Sequence, residues 1–462
     1  MVGCCVFLLV IGSGSENVKK YKLMIRIEKI IIVQKCRKKK KSTMHRTKLT
    51  NKKYIAIMSC EEMNIIMIKR KKYLDDIRPF YDEDLIKVIT GIRRCGKSTL
   101  LQQIVEELSV LVDNDHIIFI NFEDVDYSDI KDFKDLNNYI VNLIKDGKKY
   151  YLLFDEIQNV ESWERTINSL KATKNVSIFI TGSNSDLLSG DLATYLSGRY
   201  VSFKMQPFTF SEVCELKNAE NYDNIFLDYI KWGGMPQRFR FDGEKQLRTY
   251  LSDVYDSIVM KDIIKRFKIT DLDLFNRIVE YIMTTPAQSF SAENLVNYLK
   301  DKDDRNVSKE TIYNYLEYMC KGLLVSKVDR YDIRGKRILN GKYKYYLTDL
   351  GLGRIMNTSK KEQLGAYVEN IVYNELIYRG YDVKIGTLEN GEIDFIALKD
   401  GNKEYYQVCY NLGDNENVIN REFGAFDNVH DHYPKYVIST DKFDMSQDGI
   451  VHKNIINWLL EK

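Results

Sequence analysis

The stretch DLIKVITGIRRCGKSTLLQQIVEEL, residues 84–108, decides how the rest of the chain is read. Leu85–Thr90 is a short apolar, β-rich run, and Ser98–Leu108 carries Leu100, Leu101, Ile104, Val105 and Leu108 at helical spacing. The pattern predicts a strand, a loop and a helix. Between strand and helix, Gly91-Ile92-Arg93-Arg94-Cys95-Gly96-Lys97-Ser98 fits GxxxxGK[ST] in full, with Thr99 following. The glycines let the backbone curl so that its N–H groups point inward, and the helix N-terminus adds the positive end of its dipole. Such a loop cradles phosphates. Gly91, Ile92, Arg93, Arg94, Cys95, Gly96, Lys97, Ser98 and Thr99 are therefore the candidate nucleotide-binding residues. Lys97 would bridge the β and γ phosphates and Ser98 would ligate magnesium, so ATP and Mg2+ are the expected ligands.

Downstream, Tyr150–Phe154 (YYLLF) is a buried-strand run ending in Asp155-Glu156. A lone Asp-Glu pair is read most simply as a helix cap. After an all-apolar strand beyond a phosphate loop, it reads as a magnesium-holding Asp155 beside a water-orienting Glu156. A third strand, VSIFIT at 176–181, runs into Gly182-Ser183-Asn184. Either Ser183 or Asn184 could place the attacking water, Asn184 being taken as the candidate, although turn chemistry alone also favours both there. Arg199, closing Leu196-Ser-Gly-Arg199, is a candidate arginine finger acting in cis or on a neighbouring copy; a surface ion pair is the plainer alternative. No NKxD string for guanine is present, and the loop differs from the dinucleotide GxGxxG fingerprint. The fold class expected is α/β, a P-loop NTPase core on a parallel sheet.

At 462 residues the chain has room for two to four domains. Its eight cysteines are scattered without a CxxC pair, a pattern of reduced thiols in a cytoplasmic protein rather than of disulfides or zinc. The net charge of +3 hides an asymmetry. Residues 1–60 hold fifteen Lys and Arg against Glu16 and Glu28, so the remainder is mildly acidic and any nucleic-acid contact needs a local patch. The opening MVGCCVFLLVIG is too short to span a bilayer and lacks the basic start of a signal peptide. With CRKKKKS at 36–42, it reads as a disordered basic extension, the folded protein beginning near Met58 or Met63, with a basic tail for nucleic acid or membrane as the alternative. No later window is apolar for the ~18 residues a membrane helix needs, so no membrane partner is expected.

Taken in order, GIRRCGKSTLL (91–101), LLFDEIQNV (152–160), ITGSNSDLLSG (180–190), LSGR (196–199), PFTFSEV (207–213) and GGMP (233–236) resemble the prokaryotic AAA-type ATP-binding proteins, with an AAA_14 ATPase domain and a C-terminal DUF4143 domain. KYYLTDLGL (344–352), YVEN (367–370), EIDFIA (392–397) and YYQVCY (405–410) extend the resemblance to the end of the chain. It implies an ATPase core over 61–206 and a helical lid over 207–270. A winged helix over 271–355 and a restriction-endonuclease-like α/β domain over 356–462 complete the scheme.

Two C-terminal features carry further expectations. Helical stretches at 272–284, 291–300 and 308–321 are followed by the basic hairpin VDRYDIRGKRILNGKYKYYL, whose Arg334, Lys336 and Arg337 are the candidate contacts to double-stranded DNA. The mixed face of the third helix, with Glu310 and Glu317 among Lys309, Tyr313, Asn314 and Lys321, suits a protein partner instead. In the last hundred residues Glu369, Asp394 and Gln407 stand where the restriction-endonuclease resemblance implies a magnesium site. Gln407 replaces the usual Glu and Cys409 the usual Lys, which implies a degenerate nuclease site rather than a cutting one. Three functions remain: an ATP-hydrolysing switch, an ATP-gated nuclease, or a nucleotide-dependent scaffold for a protein partner. A homo-oligomer would follow from a finger acting between copies.

Overall fold

The computed structural model describes residues 68–183, 196, 198–303, 305–356, 363–389 and 391–461. The basic extension 1–60 and Asn184 lie outside the described residues. The first sheet holds five strands: β1 (Ile86–Gly91), β2 (Ile117–Asn121), β3 (Tyr150–Asp155), β4 (Val176–Gly182) and β5 (Tyr200–Met205). Their order is β2-β3-β4-β1-β5, and every pair is parallel. Strands covered on both faces must be apolar throughout, and every residue of β1 and β3 is buried. One face packs Ile86, Val88, Leu152, Phe154 and Ile180 beneath the helices Phe133–Leu143 and Trp163–Thr173. The other packs Ile89, Leu153 and Phe179 against the helix Lys97–Leu111.

Lys87 breaks the apolar rule. Its side chain is fully buried, donates to Ser177 Oγ at 2.7 Å and lies 4.6 Å from the Phe179 ring. Burial, aided by the charges of Lys171 and Lys149, pushes its ammonium down to about 7.

After β5 the chain becomes helical. Thr209 opens the helix Phe210–Lys217 with a capping box, its hydroxyl accepting from Glu212 N while Glu212 accepts from Thr209 N. The helices Tyr222–Trp232 and Glu244–Ser257 follow, and the latter runs directly into a π-helix, Ile258–Ile264. Next come Leu272–Thr284, Ala292–Asp303 and Lys309–Lys321, close to the expected spans.

The second sheet contains β6 (Val325–Asp332), β7 (Arg337–Leu347), β8 (Asp382–Leu388), β9 (Gly391–Lys399), β10 (Asn402–Val408), β11 (Lys435–Ser439) and β12 (Val451–Asn454). Its order is β12-β11-β10-β9-β8-β6-β7. β6 pairs with β8 in parallel, Arg330 opposite Ile385, so strands from both sides of residue 355 join in one sheet. The helix Leu364–Tyr378 packs on it. No described helix is long and apolar enough to cross a membrane.

The GGMP and TDLG segments lock the two halves together. Asp349 Oδ2 accepts from Gly234 N at 2.6 Å, and Oδ1 accepts from Gly351 N at 2.9 Å. Burial pushes the Asp349 carboxyl up to about 6. The backbone approach leaves no room for side chains: a Cβ on Gly234 would lie 2.0 Å from the Phe208 carbonyl oxygen.

Two stability predictions follow from this packing. Gly234→Ala should lose about 3 kcal/mol in urea unfolding, whereas Gly147→Ala, which meets nothing within 4 Å, should stay within about 0.5 kcal/mol of wild type. Lys87 has a folded pKa below its unfolded value of 10.5, so the unfolded chain binds more protons between pH 7 and 10.5 and stability rises with pH across that window. Lys87→Met should therefore raise Tm, and the gain should be larger at pH 6.5 than at pH 9.5. An equal gain at both values would show that the amine is not titrating there.

Candidate functional site

The carboxyl ends of β1, β3 and β4 lie side by side, Thr90 opposite Gly182 and Phe154 opposite Ile180. Parallel sheets expose their chemistry at this edge. The loop leaving β1 is shaped by backbone constraints. Gly96 adopts φ +110° as it caps the helix Lys97–Leu111, and Arg94 is also left-handed at φ 66°. Gly91 has no space for a side chain, since a Cβ would stand 2.5 Å from the Met205 carbonyl oxygen.

Lys97 is buried, donates to the Gly91 carbonyl at 3.0 Å and pairs with Glu156 Oε1 at 3.2 Å. Burial works against its charge, but Glu156 outweighs it and holds the ammonium above its ordinary pKa. Conversely, burial pushes Glu156 up while Lys97 pulls it below the usual carboxylate value. Gln158 donates to the other Glu156 oxygen. The Glu156 backbone is left-handed, φ 53° and ψ 48°. A non-glycine residue held there stores strain of about 1–3 kcal/mol, a cost typical of functional sites.

Asp155 lies directly behind. Thr181 Oγ1 donates to Asp155 Oδ1 at 2.6 Å and accepts from Glu156 N at 2.9 Å, so one hydroxyl on β4 orients both acidic residues. Burial raises the Asp155 carboxyl, while the nearby Ser98 and Thr181 side chains favour its charged form. Asp155 Oδ2 is buried without a hydrogen bond of standard geometry. A buried carboxylate oxygen left open beside Ser98 is what a divalent cation completed by phosphate oxygens requires. The residues present therefore fit magnesium.

Arg93 extends from the loop to a distant element. Its Nε and Nη2 meet Asp262 Oδ2 and Oδ1 at 3.0 and 3.2 Å, and Nη1 meets Glu123 Oε1 at 2.9 Å. Arg199 sits elsewhere. It is exposed and precedes Tyr200, which pairs with Ile86 at the opposite end of β1 from Gly91. About five residues of strand, roughly 17 Å, separate it from the loop. Strand register thus sets Arg199 at the end of the sheet away from the phosphate loop of its own chain.

In the second sheet, Glu369 and Asp394 do come together, but around an unexpected cation. Lys344 Nζ on β7 lies 2.9 Å from Glu369 Oε1, 2.7 Å from Glu392 Oε1 and 3.7 Å from Asp394 Oδ1. Tyr346 donates to Glu369 Oε1 at 2.7 Å. Burial pushes the carboxyls of Glu369 and Asp394 up, and Lys344 draws both back. Gln407 does not face a metal position: its carbonyl oxygen accepts from Asp394 N at 3.2 Å. Cys409 is buried, its thiol pushed far above its usual pKa by desolvation. Among the described residues, no group of three or more His, Cys, Asp or Glu side chains is arranged to hold a metal.

At the hairpin tip, Arg334 Nη1 pairs with Glu389 at 2.6 Å, and Arg337 Nε lies 3.7 Å from Asp332. Lys336 occupies the turn at φ 50°. Both arginines are more than half exposed.

The sequence reading missed Thr181, Gln158, Arg93 as a side chain, Asp262 and Lys344. Thr181 carried a signal, since it ends a buried strand next to the Asp155 strand. Asp262 and Lys344 carried none, because each reaches its site from a segment remote in sequence.

Comparison with known proteins accords with this geometry. Residues 83–214 match the AAA domain family AAA_14. Residues 223–363 match a domain of unknown function, DUF8612, in place of the DUF4143 expected farther along. A Haemophilus influenzae protein described as uncharacterized is 36% identical over 406 residues, covering 86% of this chain and 100% of that protein. The Methanocaldococcus jannaschii uncharacterized protein MJ1544 is 31% identical over 380 residues, covering 79% and 83%. Among solved structures, the Walker-type ATPase PABY2304 of Pyrococcus abyssi aligns at 14% identity with a TM-score of 0.46, over 63% of this chain and 96% of that one. With more than 30% identity across most of both relatives, the chain belongs to the family of the Haemophilus protein and MJ1544, and it carries an AAA-type ATPase domain.

Proposed function

We propose that the chain is an ATP-hydrolysing switch whose nucleotide state acts through the helical segment 207–270 on a winged-helix unit and a nuclease-like sheet. The observation that carries this reading is the convergence of Lys97, Asp155, Glu156 and Thr181 at one sheet edge. Loop N–H groups and the helix N-terminus would hold the phosphates of ATP. Lys97, now spent on Gly91 and Glu156, would turn to the β and γ oxygens. That exchange would release Glu156 to orient the attacking water and accept its proton. Ser98 and Asp155 are the residues that would hold Mg2+, which offsets the charge of the phosphate oxygens. Arg199, out of reach of its own loop, would act only on a neighbouring copy, which makes a homo-oligomer the assembly to look for.

Double-stranded DNA is the partner favoured for the wing. Three helices followed by the β6–β7 hairpin have the order of a winged helix, and the tip presents Arg334, Lys336 and Arg337. Exposed ion pairs such as Arg334–Glu389 are worth little, so a phosphate can displace Glu389. A nuclease is disfavoured, because the Lys344 ammonium occupies the space among Glu369, Glu392 and Asp394 that a catalytic metal would need.

Lys97→Ala should abolish ATP binding by titration calorimetry, and affinity near wild type would refute the phosphate-loop assignment. Steady-state hydrolysis by a chain starting near Met58 should fall by about 10²–10³ in Glu156→Gln and rise with double-stranded DNA. ATP binding with a single turnover and no steady state would favour the scaffold reading. Charge reversal at Arg334, Lys336 and Arg337 should weaken DNA binding and reduce its salt slope by about three contacts' worth. Supercoiled plasmid with Mg2+ should stay intact; nicking that disappears in Asp394→Ala would restore the nuclease reading.

A further inference from the structure

Asp262 belongs to neither of the motifs that build the nucleotide site, yet it touches the phosphate loop at Arg93 and the end of β4 at Ser183. It lies 169 residues beyond Arg93, on the π-helix Ile258–Ile264. The π-helix interrupts an otherwise continuous helical run from Glu244 to Phe267. Such interruptions are rare, cost local hydrogen-bond geometry and cluster at functional positions. Here the interruption presents Asp262 to the phosphate loop, where it grips the Arg93 guanidinium with both oxygens. The pair is well shielded, 16% and 9% exposed. Asp262 Oδ1 also lies 3.5 Å from the hydroxyl of Ser183, at the end of β4. One carboxylate therefore joins the loop after β1 to the strand end expected to face the γ-phosphate.

The charges around this point make the arrangement sensitive to what binds. Burial raises the Asp262 carboxyl, Arg93 draws it down, and the charge of Glu156 raises it again. Three carboxylates, Glu123, Glu156 and Asp262, already share Lys97 and Arg93. A guanidinium fork accepts a phosphate as readily as a carboxylate. Arg93 therefore loses little by exchanging one for the other, while Asp262 is left buried without its partner beside added negative charge. A diphosphate lacks the terminal group that would force the exchange.

The far side of the segment is packed on the three-helix unit. Ile263 is so close to Gly322, at the end of the helix Lys309–Lys321, that a Cβ there would stand 2.5 Å from Ile263 Cγ1. Phe267 stacks on Tyr318 with ring centroids 4.3 Å apart and planes 5° from parallel. A displacement of Asp262 is thus handed to the helix that precedes the basic hairpin.

We propose that Asp262 is the residue that distinguishes ATP from ADP: it holds Arg93 in the nucleotide-free chain and yields it to the γ-phosphate, which frees the π-helical segment. This rests on the phosphate loop being an ATP site. Asp262 is a positioning residue, acting through Arg93 without touching the water or the metal.

The test uses the full chain with ADP and with a non-hydrolysable ATP analogue, each with Mg2+. In calorimetry, Asp262→Asn should tighten the analogue about tenfold while changing ADP less than about twofold, and Asp262→Glu should return the ratio toward wild type. A purely structural role would leave that ratio where it was. Hydrogen exchange of wild type supplies a measurement that needs no variant. Amides of 258–267 should exchange faster with the analogue than with ADP. Wild type binding both nucleotides, with an unchanged ratio in Asp262→Asn or equal exchange in the two complexes, would overturn the role of Asp262 alone. Wild type binding neither nucleotide would overturn the ATP-site reading and this inference with it.

Discussion

The arrangement of the ATPase half depends on one buried ion pair, Arg70 with Glu212. Arg70 is 2% exposed, and its Nε lies 2.8 Å from Glu212 Oε1. Its other nitrogens donate to the Cys95 carbonyl at 3.3 Å and to the Gln206 carbonyl at 2.9 Å. The rings of Tyr73 and Phe208 lie 4.8 and 5.1 Å from the guanidinium carbon. Four segments are fixed by this one group: the entering chain, the phosphate loop, the end of β5 and the helix Phe210–Lys217. Removing one partner would strand the other as a buried charge, a cost of about 3–5 kcal/mol. Glu212 cannot be spared elsewhere either, since it also completes the capping box of its own helix. The phosphate loop is therefore supported from beneath by charge as well as by the helix it begins.

Above that support, the edge at the phosphate loop is a set of charges that satisfy one another. Lys97 and Glu156 neutralise each other, and Arg93 is saturated by Asp262 and Glu123. Glu156 is held in a strained backbone conformation while Thr181 fixes the backbone beneath it. An isolated buried charge would shift its pKa until it lost the charge. Mutual pairing lets Lys97, Glu156 and Arg93 stay ionised. Asp155 Oδ2 is the exception, unpaired in the same edge.

How much of this was legible in the sequence follows from how local each determinant is. The strand before Gly91, the helix after it, and the apolar run before Asp155 are written in contiguous periodicity. The structure places them within a residue or three of where the pattern puts them. The three helices after 271 were equally legible, since Asp271, Ser291 and Ser308 each supply a side-chain acceptor to a helix N-terminus. Pairing between distant strands was not legible. Nothing local states that β6 lies beside β8, or that Tyr200 stands opposite Ile86, and that second register is what removes Arg199 from its own active edge. The π-helix was invisible for a related reason: its sequence, IVMKDII, has ordinary helical periodicity, and the extra residue is accommodated by contacts made elsewhere.

Lys344 shows the same limit in its sharpest form. Reading QVCY for a lysine two residues after Gln407 assumes that the cation must come from the strand adjoining Asp394. The physical requirement is weaker. Glu369, Glu392 and Asp394 lie close together, Asp394 buried and the other two partly so, and a positive charge among them favours their ionised forms, whether it comes from a metal or from any side chain long enough to reach. Lys344 meets that need from β7, at the edge of the sheet, and Arg330 on β6 adds a second contact to Glu392 at 2.5 Å. Both cations belong to the basic hairpin and all three carboxylates to the elements that follow it. The charges around Lys344 and Arg330 thus tie the hairpin to β9 and to the helix Leu364–Tyr378, in addition to the backbone pairing of β6 with β8.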